Sequence, residues 1–124
     1  MSTVLLVEDD PDIRHLVSYK LRTGGFDVVE AADGLTALDL ARRTPPDLVI
    51  LDVRMPRKSG LEVCRELRAG PRTADVPIIL LTARAQPQDL EQAYAAGATD
   101  YVVKPFSPRA LVERVQAVLQ RVSR

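Results

Sequence analysis

A doubly wound α/β fold, with five parallel strands and helices on both faces, is what this 124-residue chain predicts from its pattern alone. Short, near-continuous apolar runs alternate with longer segments whose apolar residues recur at helical spacing. Runs of that kind suit strands buried on both faces of a parallel sheet. The connections are short and rich in Gly, Pro and Asp, and no repeat or low-complexity stretch breaks the alternation.

Thr3-Val4-Leu5-Leu6-Val7 is the first run, and it breaks off at Glu8-Asp9-Asp10-Pro11. Asp10-Pro11 reads as a helix start: an acid that accepts from free amides, then a proline whose missing N–H is not needed there. Ile13, Leu16, Val17, Lys20 and Leu21 follow at helical spacing, and Gly24-Gly25 ends the helix. Residues 26–30 form a second strand, expected at the sheet edge because Asp27 and Glu30 are polar. Asp33-Gly34 turns the chain into a second helix, marked by Leu35, Leu38, Leu40 and Ala41 and closed by Pro45-Pro46. Residues 47–52 are the third strand, more apolar than the two before it, ending in Asp52. After a loop holding Met55-Pro56 and Ser59-Gly60, a third helix carries Leu61, Val63, Cys64 and Leu67. A polar loop at 70–75 leads to a fourth strand at 76–81, which ends in Thr82-Ala83. Residues 88–96 make a short helix of small residues, stopped at Gly97. Residues 100–103 are the fifth strand, followed by Lys104-Pro105. Ser107-Pro108 caps the last helix, which presents Leu111, Val115, Val118 and Leu119 inward and is expected to run almost to Arg124. Right-handed crossovers leave few arrangements, and the expected strand order is 2-1-3-4-5.

Composition excludes several functions. Hydrophobic residues are 46% and charged residues 27%, and residues 1–124 are expected to form a single domain. Lys+Arg and Asp+Glu both number 17, so the net charge is zero, whereas binding by bulk attraction to phosphate backbones needs an excess of Lys and Arg. A single cysteine rules out an internal disulfide and a cysteine zinc site, and a single histidine rules out a two-histidine metal site. No apolar run approaches the ~18 residues of a membrane span, and Met1-Ser2-Thr3 lacks a basic signal region, so a cytoplasmic location is expected. Chemistry falls to carboxylates, hydroxyls and lysines.

In folds of this class the working site lies beyond the carboxyl ends of the strands, where strand order reverses. The first strand delivers Glu8, Asp9 and Asp10 there, the third Asp52, the fourth Thr82 and the fifth Lys104. Acids crowded together resist ionisation unless a cation joins them. All-oxygen ligands select a hard ion, with Mg²⁺ the best fit and Mn²⁺ the alternative. Lys104 and Thr82 complete a set suited to transferring a phosphoryl group to a carboxylate. Each residue alone has an ordinary explanation: Asp10 as a helix cap, Thr82 as a turn hydroxyl, Lys104 as a solvated charge. Their coincidence at successive strand ends favours a site.

Four segments, Leu5-Leu6-Val7-Glu8-Asp9-Asp10, Leu51 through Gly60, Leu80-Leu81-Thr82-Ala83 and Gly97 through Phe106, make the sequence resemble the receiver domain of two-component response regulators, along essentially its whole length. The resemblance implies a flavodoxin-like sheet and the following roles. Asp52 would accept a phosphoryl group from the phosphohistidine of a sensor histidine kinase or a histidine phosphotransfer protein. Asp9, Asp52 and the Arg54 backbone carbonyl would bind Mg²⁺ directly, and Glu8 through a metal-bound water. Thr82 would hydrogen-bond the phosphoryl group, Lys104 would pair with it, and Tyr101 would move inward with Thr82 as an aromatic switch. The Lys104-Pro105 peptide would be cis. The surface made by the fourth helix, fifth strand and fifth helix would then signal to an output domain or a downstream protein, with a phosphorylation-dependent homodimer as one form of that output. Direct nucleic-acid binding and membrane contact are not expected of this domain. It would be no conventional enzyme, though it would assist its own phosphorylation and dephosphorylation. Asp10 and Arg54 stand where this family tunes the phosphoryl lifetime. The stretch from Gly97 resembles the transcription-factor subfamily, which often carries acids at the positions of Thr99 and Ala110; this chain has neither, though it has Asp100 and Arg114.

Two other functions compete. A metal-dependent phosphatase with an Asp nucleophile usually has a second Asp two residues on, where this chain has Arg54. A phosphorylation-independent interaction module would show a lost acceptor or lysine, yet Asp52 and Lys104 are both present. Elsewhere, His15 reads as a surface histidine, Cys64 as core, and Arg42-Arg43 and Arg54-Met55-Pro56-Arg57-Lys58 as solvated basic clusters, the second beside the site. A stand-alone receiver and a piece of a longer regulator both fit the sequence.

Overall fold

The computed structural model describes residues 2–122. In chain order they form β1 (Thr3–Val7), α1 (Pro11–Thr23), β2 (Asp27–Ala31), α2 (Gly34–Arg43), β3 (Leu48–Asp52), α3 (Gly60–Ala69), β4 (Ile78–Thr82), α4 (Pro87–Ala95), β5 (Asp100–Val103) and α5 (Pro108–Val122). The strands make one parallel sheet in the expected order, β2-β1-β3-β4-β5. It is a flavodoxin-like doubly wound sheet.

Alternate residues of each strand face opposite sides, so the sheet splits the interior into two cores. Leu5, Val7, Val49, Leu51, Ile78 and Leu80 pack against α2, α3 and α4. Val4, Leu6, Leu48, Ile50, Ile79 and Leu81 pack against Val17 and Leu21 of α1 and Leu111, Val115 and Val118 of α5. Central β3 is buried throughout, which accounts for its unbroken apolar run, while edge strand β5 is half-buried along its length. Cys64 sits in the core, and His15 is exposed.

The boundaries shift by a residue or two from the sequence-based ones, for local reasons. β4 begins at Ile78 rather than 76, because Pro77 has no N–H to give the ladder and the Val76 carbonyl accepts from Arg68 at 2.6 Å. β2 begins at Asp27, leaving Phe26 to pack against the α1–α5 core. Asp33 is not a free turn residue but the cap of α2, accepting from the Thr36 amide at 2.9 Å. Leu16 and Leu35, which mark the helical spacing in the sequence, are 52% and 46% exposed; the buried faces of their helices use Val17, Ser18 and Leu21, and Ala37, Leu38 and Ala41. The expected run of the last helix toward Arg124 lies outside the described residues beyond Val122. Among the described residues, no helix is long and apolar enough to cross a membrane.

Candidate functional site

The crossovers from β1 and β3 leave the sheet in opposite directions, which opens a crevice beyond their carboxyl ends. Glu8 follows β1 directly, and Asp52 is the last residue of β3. Both carboxylates are buried, at 1% and 4% exposure, while Asp9 between them is exposed. Oxygens of Glu8, Asp9 and Asp52 lie within 4.8 Å of one another. Lys104, just past β5, reaches across to them: its Nζ is 3.1 Å from Asp52 Oδ2 and donates to Glu8 Oε1 at 3.2 Å. The peptide joining Lys104 to Pro105 is cis.

Local packing holds Asp52 in place. Its Oδ1 accepts the Arg54 amide at 3.3 Å, and Gly60, the first residue of α3, lies tight against its backbone. A Cβ on Gly60 would come 2.3 Å from the Asp52 carbonyl oxygen and 2.8 Å from Val53 Cα. Only glycine lets α3 start this close to the strand end. Ser59 then caps α3 in a reciprocal box with Glu62.

The cluster is electrostatically unfinished. Burial, then the hydrogen bond and charge of Asp52, push Glu8 up to about 7. Burial works against the charge on Lys104, but its bonds to Asp52 and Glu8 outweigh it and hold the ammonium above its ordinary value. Lys104 brings a single positive charge to three carboxylates. Their donors are all oxygen, which suits a hard divalent cation. Asp9, Val53, Arg54, Met55 and Ser59 line one shallow depression, so Arg54 lies beside the exposed acid.

A cavity of about 290 Å³ continues from Asp52 and Lys104 past Thr82 to Leu61, Leu80 and Ala93 under α4. Thr82 lines it, but its hydroxyl is engaged in a turn, donating to the Arg84 carbonyl at 3.2 Å and accepting from the Arg84 amide at 3.0 Å. Tyr101 is half-buried, its ring packed edge-on against Tyr94 at 5.7 Å.

Glu8, Asp9, Asp52 and Lys104 thus come together, with Thr82 and Arg54 at the walls. Asp10 does not join the acids: it caps α1, its Oδ1 accepting from the amides of Asp12 and Ile13 at 2.9 and 3.3 Å. Tyr101 stands off from the cluster. Asp100 pairs with Arg114 of the same chain at 2.8 Å. Sequence reasoning missed Arg14, which donates to the Glu8 carbonyl at 2.8 Å, and Asp89 and Gln92 of α4, which line the cavity. An arginine on a helix reads as a solvated charge, so nothing in the pattern marks it.

Comparison with known proteins agrees with this geometry. Residues 4–116 match the family described as the response regulator receiver domain. The chain is 44% identical to the DNA-binding dual master transcriptional regulator RpaA of Synechocystis over 124 residues, all of this chain and 52% of that protein. It therefore spans about half the length of the curated relatives it matches. The structure of the chemotaxis response regulator CheY4 of Vibrio cholerae superposes with a TM-score of 0.91 at 38% identity, over 95% of this chain and 98% of that one. The receiver domain of the sensor histidine kinase PA1611 from Pseudomonas aeruginosa, solved with a magnesium ion in its active site cleft, gives 0.84 at 39% identity over 97% and 95%.

Proposed function

The chain belongs to the response regulator receiver family, whose members switch by phosphorylation and bind Mg²⁺ at an acidic pocket, and from that premise we propose that Asp52 is its phosphoacceptor. One observation carries the assignment: of the three clustered acids, Asp52 is the one that both meets Lys104, at 3.1 Å, and lines the cavity that continues past Thr82 under α4. The donor is the phosphohistidine of a sensor kinase or phosphotransfer protein. An Asp52 oxygen forms the new P–O bond as the donor P–N bond breaks, and the leaving imidazole nitrogen keeps the electron pair.

Asp9, Asp52 and the Arg54 carbonyl would hold the cation, with Glu8 acting through water. When bound, Mg²⁺ supplies positive charge that offsets the carboxylates and the incoming phosphoryl oxygens. Lys104 exchanges its carboxylate contacts for a phosphoryl oxygen. Thr82 gives up its turn with Arg84 to donate to the same group. Its displacement opens the cavity side of β4 to the Tyr101 ring. The surface of α4, β5 and α5 changes in consequence, and an output domain or partner reads it. RpaA is described as DNA-binding, and the present domain would pass its signal to such a module rather than touch DNA itself. Dimerisation of the phosphorylated form is one route, read by light scattering with beryllofluoride and Mg²⁺.

Asp52→Ala is expected to abolish phosphoryl labelling by a small acyl phosphate with Mg²⁺. Unchanged labelling refutes the assignment.

A further inference from the structure

Asp9 is the least supported acid of the cluster. Its carboxylate is exposed, and among the described residues it makes no hydrogen bond or ion pair. Its position is therefore set by the backbone on either side. On one side the cap of α1 fixes Asp10. On the other, Glu8 has every polar group engaged. Its amide donates to the Ala31 carbonyl at 3.0 Å. Its carboxylate accepts from Lys104 at 3.2 Å and from the Asp10 amide at 3.3 Å. Its carbonyl accepts from Arg14 Nη1 at 2.8 Å.

Arg14 lies one turn into α1 and is only 17% exposed. Its Nε is 3.5 Å from the Glu30 carboxylate, which also accepts from Ser18 and Arg22. One guanidinium thus ties the end of β1 to β2 through α1. The planar fork serves two acceptors on different edges, whereas a lysine ammonium at the same place serves one well. Arg14 itself belongs neither to the acid cluster nor to the cavity wall.

We propose that Arg14 is a positioning residue for the cation site: by holding the Glu8–Asp9 peptide from behind, it fixes where Asp9 presents its carboxylate. The inference rests on the cation reading of Glu8, Asp9 and Asp52. Groups that orient metal ligands set affinity without touching the ion, and removing one typically weakens binding by ~10-fold or more.

The test is titration of the intact chain with Mg²⁺ alone by isothermal calorimetry. Arg14→Ala is expected to weaken the dissociation constant about tenfold. Arg14→Lys, which keeps the charge and one contact, falls between it and the parent. Val17→Ala, on the same helix and buried in the α1–α5 core, lowers stability without touching the clamp and is expected to leave Mg²⁺ affinity alone. A constant for Arg14→Ala indistinguishable from the parent's, in a protein with a native circular dichroism spectrum, overturns the proposal. So does an equal loss in Val17→Ala, since the effect is then one of general stability. Should Arg14→Ala fail to fold, Arg14→Lys decides: unchanged affinity overturns the clamp, weakened affinity supports it. The two readings fail separately, because a parent chain that binds no Mg²⁺ overturns the cation reading, whereas unchanged affinity in the Arg14 variants of a parent that does bind overturns only the clamp.

Discussion

Glu8 is the residue whose titration reports most directly on the site. Its value of about 7 in the folded chain exceeds the ordinary 4.5, so the folded state takes up its proton more readily than the unfolded. The stabilisation is complete below about pH 4.5 and is lost as pH rises through about 7. With chelator present, thermal unfolding is therefore expected to show falling stability across that window, and Glu8→Gln to remove this component of the pH dependence. A cation reverses the preference, so Mg²⁺ affinity is expected to rise with pH over the same interval. Asp10 divides the acids in another way. As a cap, its replacement by Ala should lower stability by about 1 kcal/mol in chemical denaturation. The same change should weaken Mg²⁺ binding less than Asp9→Ala does. The acids and Lys104 were legible because each follows an apolar run. Asp10 was legible as a cap, yet sequence alone could not separate it from the cluster one residue away. Arg14 and Arg68 were not legible, since both sit on amphipathic helices where charge marks the solvent face. Arg68 instead donates to carbonyls at Ala74, Val76 and Gly97, and a side chain on Gly97 (φ 108°) would run into it.

Among the elements, α3 is the one whose start bears on the chemistry. Gly60 lets it begin against the Asp52 backbone, and a methyl group there meets main chain, which cannot swing aside. Gly60→Ala is expected to cost about 3 kcal/mol, the upper range for overpacking, and to slow phosphoryl labelling by displacing Asp52. Denaturation and labelling rate together check this. Ser59-Gly60 was readable as a loop from sequence, whereas the close approach it permits depends on packing between β3 and α3. The same division holds for the strands. Their existence followed from apolar runs, and their order from crossover handedness together with the family resemblance, but β4 starts two residues late because Pro77 has no N–H for the ladder and Arg68 of the preceding helix takes the Val76 carbonyl. The inner face read for α5 is the buried one, with Leu111, Val115 and Val118 in the core, whereas Leu16 and Leu35 share the helical spacing of α1 and α2 yet stay exposed.

The whole molecule pairs a rigid core with one loosely held element. β1, β3 and β4 are buried almost throughout, while α4 buries only Ala93, and its cap residue Gln86 makes no side-chain cap bond. The cavity under α4 reaches Asp52, the proposed phosphoacceptor, so α4 is where a charge change there finds room to act. Hydrogen exchange is expected to change in residues 87–103 when beryllofluoride and Mg²⁺ are added, and to stay unchanged in the buried strands β1 and β3. The zero net charge seen in the composition conceals this site, because balance over the whole chain coexists with three acids facing one lysine. The central claim is that Asp52, and no other group, takes the phosphoryl. Borohydride reduction of the labelled protein, followed by peptide mass spectrometry, converts an aspartyl phosphate to homoserine and tests the claim directly. Homoserine at position 52 and nowhere else is the expected result; homoserine at another acid, or label retained on His15, would contradict it.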